Sequence, residues 1–168
     1  MSLLSFFQWL AETPLSLGIR ESTWTYPVIE SVHVLSLCVF AGLLLLWDLR
    51  LLGFTLSRVA VSEVWARLIP WVTLGAVLMV ISGVLLFASD PVRFYGNIFF
   101  RIKAAGLFLA LLNALAFHFG IERRLVDWDT SAVTPRAARF AGAVSIGLWA
   151  VIVVTGRFVA YNWFAPLV

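Results

Sequence analysis

The 168-residue chain is 62% hydrophobic and only 12% charged, with a mean hydropathy of +0.98, whereas ordinary soluble domains carry about 25% charged residues. This excludes a conventional soluble domain, and no zinc-ligand spacing, phosphate loop or nucleophile elbow points to soluble-enzyme chemistry. The net charge of +3 comes from basic residues scattered at the ends of apolar runs. That placement suits lipid headgroups and excludes a nucleic-acid patch.

At about 20 apolar residues per span, the length admits four or five spans and no sizeable extramembrane domain. The whole chain, 1–168, is therefore read as one integral membrane domain. Residues 1–25 form an N-terminal segment in which Ser2 to Ala11 is apolar but too short to cross. Lacking a basic leader and followed by Glu12 and Pro14, it is expected to be a mature interfacial helix and not a signal peptide. Four long apolar segments follow at roughly 26–46, 66–87, 98–120 and 140–160. The connections carry turn residues and charges: Asp48 to Glu63, then Asp90-Pro91 with Tyr95-Gly96-Asn97, then Glu122 to Arg139 with Pro135. Cys38, the lone cysteine, is expected to be a small buried hydrophobe.

Trp24, Tyr26, Tyr95, Tyr161 and Trp163 gather at one boundary and Trp47, Trp65, Trp71 and Trp128 at the other, as amphipathic rings do at headgroup level. The fold class is all-α membrane, a four-transmembrane-helix antiparallel bundle with an N-terminal interfacial helix. Side A carries both termini with Arg20, Arg93, Arg101, Lys103 and Arg157. Side B carries Arg50, Arg58, Arg67, Arg123, Arg124, Arg136 and Arg139. Seven basic residues against five predict that side B is cytoplasmic and that the termini are periplasmic or extracellular.

Ionisable groups within the spans concentrate in the first and third helices, which are therefore expected to meet in the interior. Glu30 and His33 share a face that continues through Leu37, Ala41 and Leu44 to Asp48. On the third helix Lys103, Gly106, Ala110, Asn113 and Phe117 form a stripe whose small residues admit another helix or a flat cofactor. An intramembrane charge costs roughly 2.5–3.5 kcal/mol on insertion scales, so such groups pair or serve function. One reading is structural: Glu30 and Lys103 form an ion pair with His33 hydrogen-bonded beside them. The other makes His33 an axial ligand of haem b, a group that fits between facing helices, with Glu30 orienting the imidazole or pairing with a cation. Lys103, Arg101 and Arg157 would then hold propionates, or Lys103 would ligate the iron as a neutral amine. His118 lies about 20 Å from His33 in depth at 1.5 Å per residue, too far to share an iron, and is read as an interfacial histidine near Glu122. Asp48 and Arg50 do not share a helical face and are read as anchors of the side-B boundary.

Tyr26-Pro27, Glu30-Ser31-Val32-His33, Ala41-Gly42-Leu43 and Leu49-Arg50-Leu51-Leu52 resemble the first helix of HemJ-type protoporphyrinogen oxidases and of the related copper-resistance D membrane proteins. The resemblance spans roughly Tyr26 to His118. Glu30-Ser31-Val32-His33 and Asp48-Leu49-Arg50-Leu51 are more similar still to a family of bacterial membrane proteins of unassigned function. In HemJ-type proteins an early helical histidine and a lysine in a later helix are essential and linked to haem b, and His33 and Lys103 stand in comparable places. What the resemblance implies is a redox-linked helical bundle in a bacterial inner membrane, with protoporphyrinogen oxidation as the enzyme activity.

The leading expectation is a haem b-binding protein that transfers electrons between a quinone or porphyrin-type donor and a redox partner, with His33 as the iron ligand. The alternative is a structural or accessory subunit, without a cofactor of its own, that packs into a homo-oligomer or larger membrane complex. Gly142, Ser145 and Gly147 offer a small-residue surface for that packing. A metal or solute transporter has less support, because two histidines and few carboxylates offer little to hold a translocated metal.

Overall fold

A computed structural model describes residues 3–131 and 133–161, without the Arg124 side chain. Ser2 and Trp163, used above in reading the N-terminal helix and the aromatic boundary, lie outside the described residues. The elements are α1 (Leu3–Ala11), α2 (Pro14–Glu21), α3 (Thr25–Leu52), α4 (Val61–Ser89), α5 (Pro91–Gly96), α6 (Ile98–Ala116) and α7 (Arg136–Phe158). One π-helical turn, Phe117–Ile121, and a 3₁₀ segment, Glu122–Asp127, extend α6. Four helices are long and apolar enough to cross a membrane: Thr25–Leu52, Val61–Ser89, Ile98–Ile121 and Arg136–Phe158. The protein is all-helical among the described residues and built on four spans, as its apolar runs predict.

Local chemistry sets most boundaries. The Thr13 hydroxyl accepts the Ser16 N–H and Pro14 opens α2, a helix that the residue pattern supports through its cap and first-turn proline. Gly53, at φ 84°, ends α3 in the left-handed conformation that glycine adopts without steric cost. The spanning helix therefore runs through Asp48 and Arg50, and the first connection starts at Gly53, not at Asp48. Asn97 accepts the Phe99 and Phe100 N–H groups at 2.9 and 3.2 Å and so starts α6.

Side A gathers α1, α2, α5 and the end of α7. Phe7 meets Phe87 and Tyr95, Ser16 donates to the Ser89 carbonyl, and Asn97 Nδ2 reaches the Val159 carbonyl. On side B a core of Trp47, Leu51, Val61, Val64, Trp128 and Ala138 ties the first and third connections together. Trp47 and Trp65 lie 4.9 Å apart there.

No side-chain cap from Ala60 serves the start of α4. Instead Asp129, from the third connection, accepts the Ser62 N–H at 2.7 Å and the Ser62 hydroxyl at 2.6 Å, a cap supplied across the fold. The Ser62 hydroxyl, then its N–H, hold the Asp129 carboxyl below its ordinary range. A carboxylate depressed on folding contributes stability above its unfolded pKa and loses it as pH falls through the folded value. Asp129→Asn should therefore speed amide exchange at residues 61–65 at neutral pH. Acidifying the wild type below the ordinary carboxylate range should reproduce that loss.

The helix neighbours differ from expectation. α3 packs along α4 and α7, and α6 packs along α7, while α3 and α6 are not packed along each other. The order across the bundle is thus α4, α3, α7, α6. Gly75 lets α4 close on the Phe40 backbone, and Gly142 lets α7 close on the Asp48 carbonyl, so small residues determine which pairs approach. Cys38 is exposed on the outer surface and not buried, because a thiol is apolar enough to face lipid.

Candidate functional site

His33 sits eight residues into α3, roughly 12 Å along the helix at 1.5 Å per residue. It is half-buried, and its Nδ1 lies 3.0 Å from Ser82 Oγ of α4. Ser82 has one hydroxyl hydrogen, which it gives to the Leu78 carbonyl at 2.6 Å. With the hydroxyl hydrogen on that carbonyl, the neutral tautomer protonated at Nδ1 completes the contact with Ser82 Oγ and carries its lone pair on Nε2. The Met79 carbonyl is the ring's other polar neighbour. Gly83 makes room for the ring, since a Cβ there would fall 3.1 Å from His33 Cε1.

Lys103 reaches the same level from α6, within electrostatic range of His33. Its stem lies along Gly156 of α7, where an added Cβ would stand 3.6 Å from Nζ. One residue from each span thus converges here: His33, Ser82, Lys103 and Gly156. Glu30 does not join them. It is exposed, and the ion pairs among the described residues are Arg67 with Glu63 and His118 with Glu122, so the expected Glu30–Lys103 pair is absent. Three residues before His33, Glu30 lies on the margin of the inward stripe. Arg101 is exposed with Nε on the Tyr95 carbonyl at 3.1 Å, and Arg157 is exposed with Nη2 3.4 Å from the Tyr161 hydroxyl.

The α6 stripe faces inward as expected, but its first small residue serves packing. Ile152 of α7 occupies the space over Gly106, where an added Cβ would meet its Cγ1 at 2.9 Å. Room opens further along, at Ala110 and Asn113, which line a cavity of about 550 Å³. None of Glu30, His33, Arg101, Lys103 and Arg157 lines it.

Residues 6–162 match the model of a family of unknown function, DUF6644. The chain belongs to that family. No curated protein matches it, and no solved structure does.

What the residue pattern misses is Asp48. Read as a boundary anchor, it is instead a buried side chain of the cavity wall, 4% exposed, with the Ser145 hydroxyl of α7 as its polar neighbour. The available signal was Gly53, whose helix-ending role keeps Asp48 a full turn inside α3. His118 is paired with Glu122 at 2.6 Å, the partner expected from its four-residue spacing. Among the described residues no three histidine, cysteine or acidic side chains gather around a common metal point. The His33 group offers one nitrogen lone pair and one ammonium.

Proposed function

We propose that this protein is a haem b-binding redox protein of a bacterial inner membrane, with His33 Nε2 as an axial ligand. The observation that carries the reading is the hydrogen-bond chain from His33 Nδ1 through Ser82 Oγ to the Leu78 carbonyl. Metal-ligating histidines characteristically donate their second ring N–H to a fixed acceptor, which orients the ring and raises its basicity. His33 would supply one nitrogen ligand to the iron. Lys103, at comparable depth, is suited to a propionate carboxylate. Arg101 and Arg157 are the outer candidates for the same role at the side-A surface. Haem b, when bound, supplies one-electron chemistry, and the chain's own contribution is to hold the imidazole tautomer and to neutralise a carboxylate near the interface. A quinone or porphyrin-type donor is the electron source this reading requires. The likeness of the Tyr26 to His118 stretch to HemJ-type proteins supports it. The arginine excess on side B supports periplasmic termini.

Protein expressed with adequate haem supply and extracted in mild detergent should show a Soret band and reduced b-type bands. His33→Ala should abolish or strongly shift them. Ser82→Ala, which removes the acceptor, should lower haem retention about 10- to 100-fold, the range for lost outer-shell partners. Lys103→Met should weaken retention less and leave the bands in place. A colourless wild-type preparation would overturn the reading and leave an accessory membrane subunit in its place.

A further inference from the structure

A second intramembrane site lies toward side B, away from His33. α4 and α6 are not packed along each other, and the cleft between them leads into the cavity of about 550 Å³. That volume is within the roughly 300–1,000 Å³ of small-molecule sites. All four spans contribute walls: Trp47 and Asp48 from α3, Trp65 from α4, Asn113 from α6, Ser145 and Trp149 from α7. On the rim, Val80 is 58% and Leu111 55% exposed, so the mouth faces the lipid side of the bundle.

The ionisable side chains among the lining residues are Asp48, His118 and Glu122, and the last two bond each other. Among the described residues no lysine or arginine lines the cavity. Asp48 is 96% buried, and its Oδ2 has no hydrogen-bond partner among the described residues. Arg50, two residues on, turns to another face and gives both Nε and Nη2 to the Val59 carbonyl. A buried carboxylate without a cation is unfavourable, and the Ser145 hydroxyl supplies one hydrogen but no charge. Phe40, Trp47, Trp65, Phe117 and Trp149 also line the cavity, and aromatic faces attract cations.

We propose that this cavity binds a lipophilic monocation, an apolar molecule carrying one ammonium or comparable cationic centre, with Asp48 as its counter-ion. With Asp48 ionised, such a molecule supplies the counter-charge that no described lining residue offers, places its apolar body against Phe40, Leu44 and Met79, and enters between α4 and α6. A neutral hydrogen-bonding head would satisfy Oδ2 but supply no counter-charge.

The test uses the full chain in nanodiscs of zwitterionic lipid. It is titrated with tetraphenylphosphonium and with triphenylphosphine oxide, a neutral molecule of similar aromatic character. Binding is read by equilibrium dialysis and by quenching of tryptophan fluorescence. The expected result is saturable binding of the cation, at least tenfold tighter than the neutral probe, with Asp48→Asn weakening the cation at least tenfold and leaving the neutral probe unchanged. Equal affinity for both probes, an unchanged cation affinity in Asp48→Asn, or no saturable cation binding would each overturn the proposal. The comparison of the two probes on wild-type protein decides the matter even if the variant fails to fold. Because the assay does not read haem, colourless protein that binds the cation separates the failure of the haem reading from failure here.

Discussion

Gly75→Leu is expected to destabilise the bundle by about 3 kcal/mol, the upper part of the range for overpacked interiors. Gly75 is buried where α4 crosses α3, and a Cβ there would lie 3.1 Å from both Cβ and N of Phe40 and 3.3 Å from its Cα. Two of those three atoms are backbone, so the strain cannot be relieved by turning a side chain. The helices must separate, and α3 with α4 is the most extensive helix pair of the fold. Gly147 provides the control, because nothing stands within 4 Å of its added Cβ. Gly147→Ala should not destabilise the bundle, because mid-helix alanine is favoured over glycine by up to about 1 kcal/mol. Unfolding in mixed micelles, followed by circular dichroism, measures both. Equal stabilities for the two variants would mean that α3 and α4 do not meet at Gly75.

Arg50→Ala should cost about 2 to 3 kcal/mol, the scale of a buried charge-assisted hydrogen bond lost with its acceptor left unmatched. Arg50 is 2% exposed, and its Nε and Nη2 bond the Val59 carbonyl at 3.1 and 2.7 Å. That carbonyl belongs to the connection between Gly53 and Ala60, which turns through two left-handed residues, Gly53 and Leu56. The guanidinium thus fixes the loop that delivers Val61 and Ser62 to Asp129. Arg50→Met, which keeps much of the volume and removes the donors, should lose nearly as much as Arg50→Ala. Arg50→Lys, with a single ammonium in place of the fork, should recover part of it. Protease sensitivity between residues 53 and 60 should rise in the same order. A methionine variant as stable as wild type would show that packing, and not the hydrogen bonds, accounts for Arg50.

The candidate sites were unevenly legible. His33 and Lys103 were visible because an ionisable residue in an apolar run stands out against the cost of placing it in lipid. Glu30 stood out equally and proved exposed, since charge alone does not say which face of a helix turns inward. Asp48 is not legible as a buried group from its neighbours, because Arg50, two residues away, lies on another face. Its burial beside Ser145 depends on α7, almost a hundred residues later. Gly106 invited a flat ring by size alone, yet Ile152 fills its space.

What the sequence by itself determined is the number of spans and their alternation, because run length and the aromatic boundaries are local signals matched to a bilayer's thickness. Only the tertiary structure decided that α3 lies against α4 and α7, that α6 is reached through α7, and that Asp48 closes one wall of a cavity. The physical reason is that lipid is as apolar as the bundle interior. Hydrophobic periodicity, which marks the buried face of a helix in water, therefore carries little information here, and close packing at Gly75, Gly106 and Gly142 makes the choice instead.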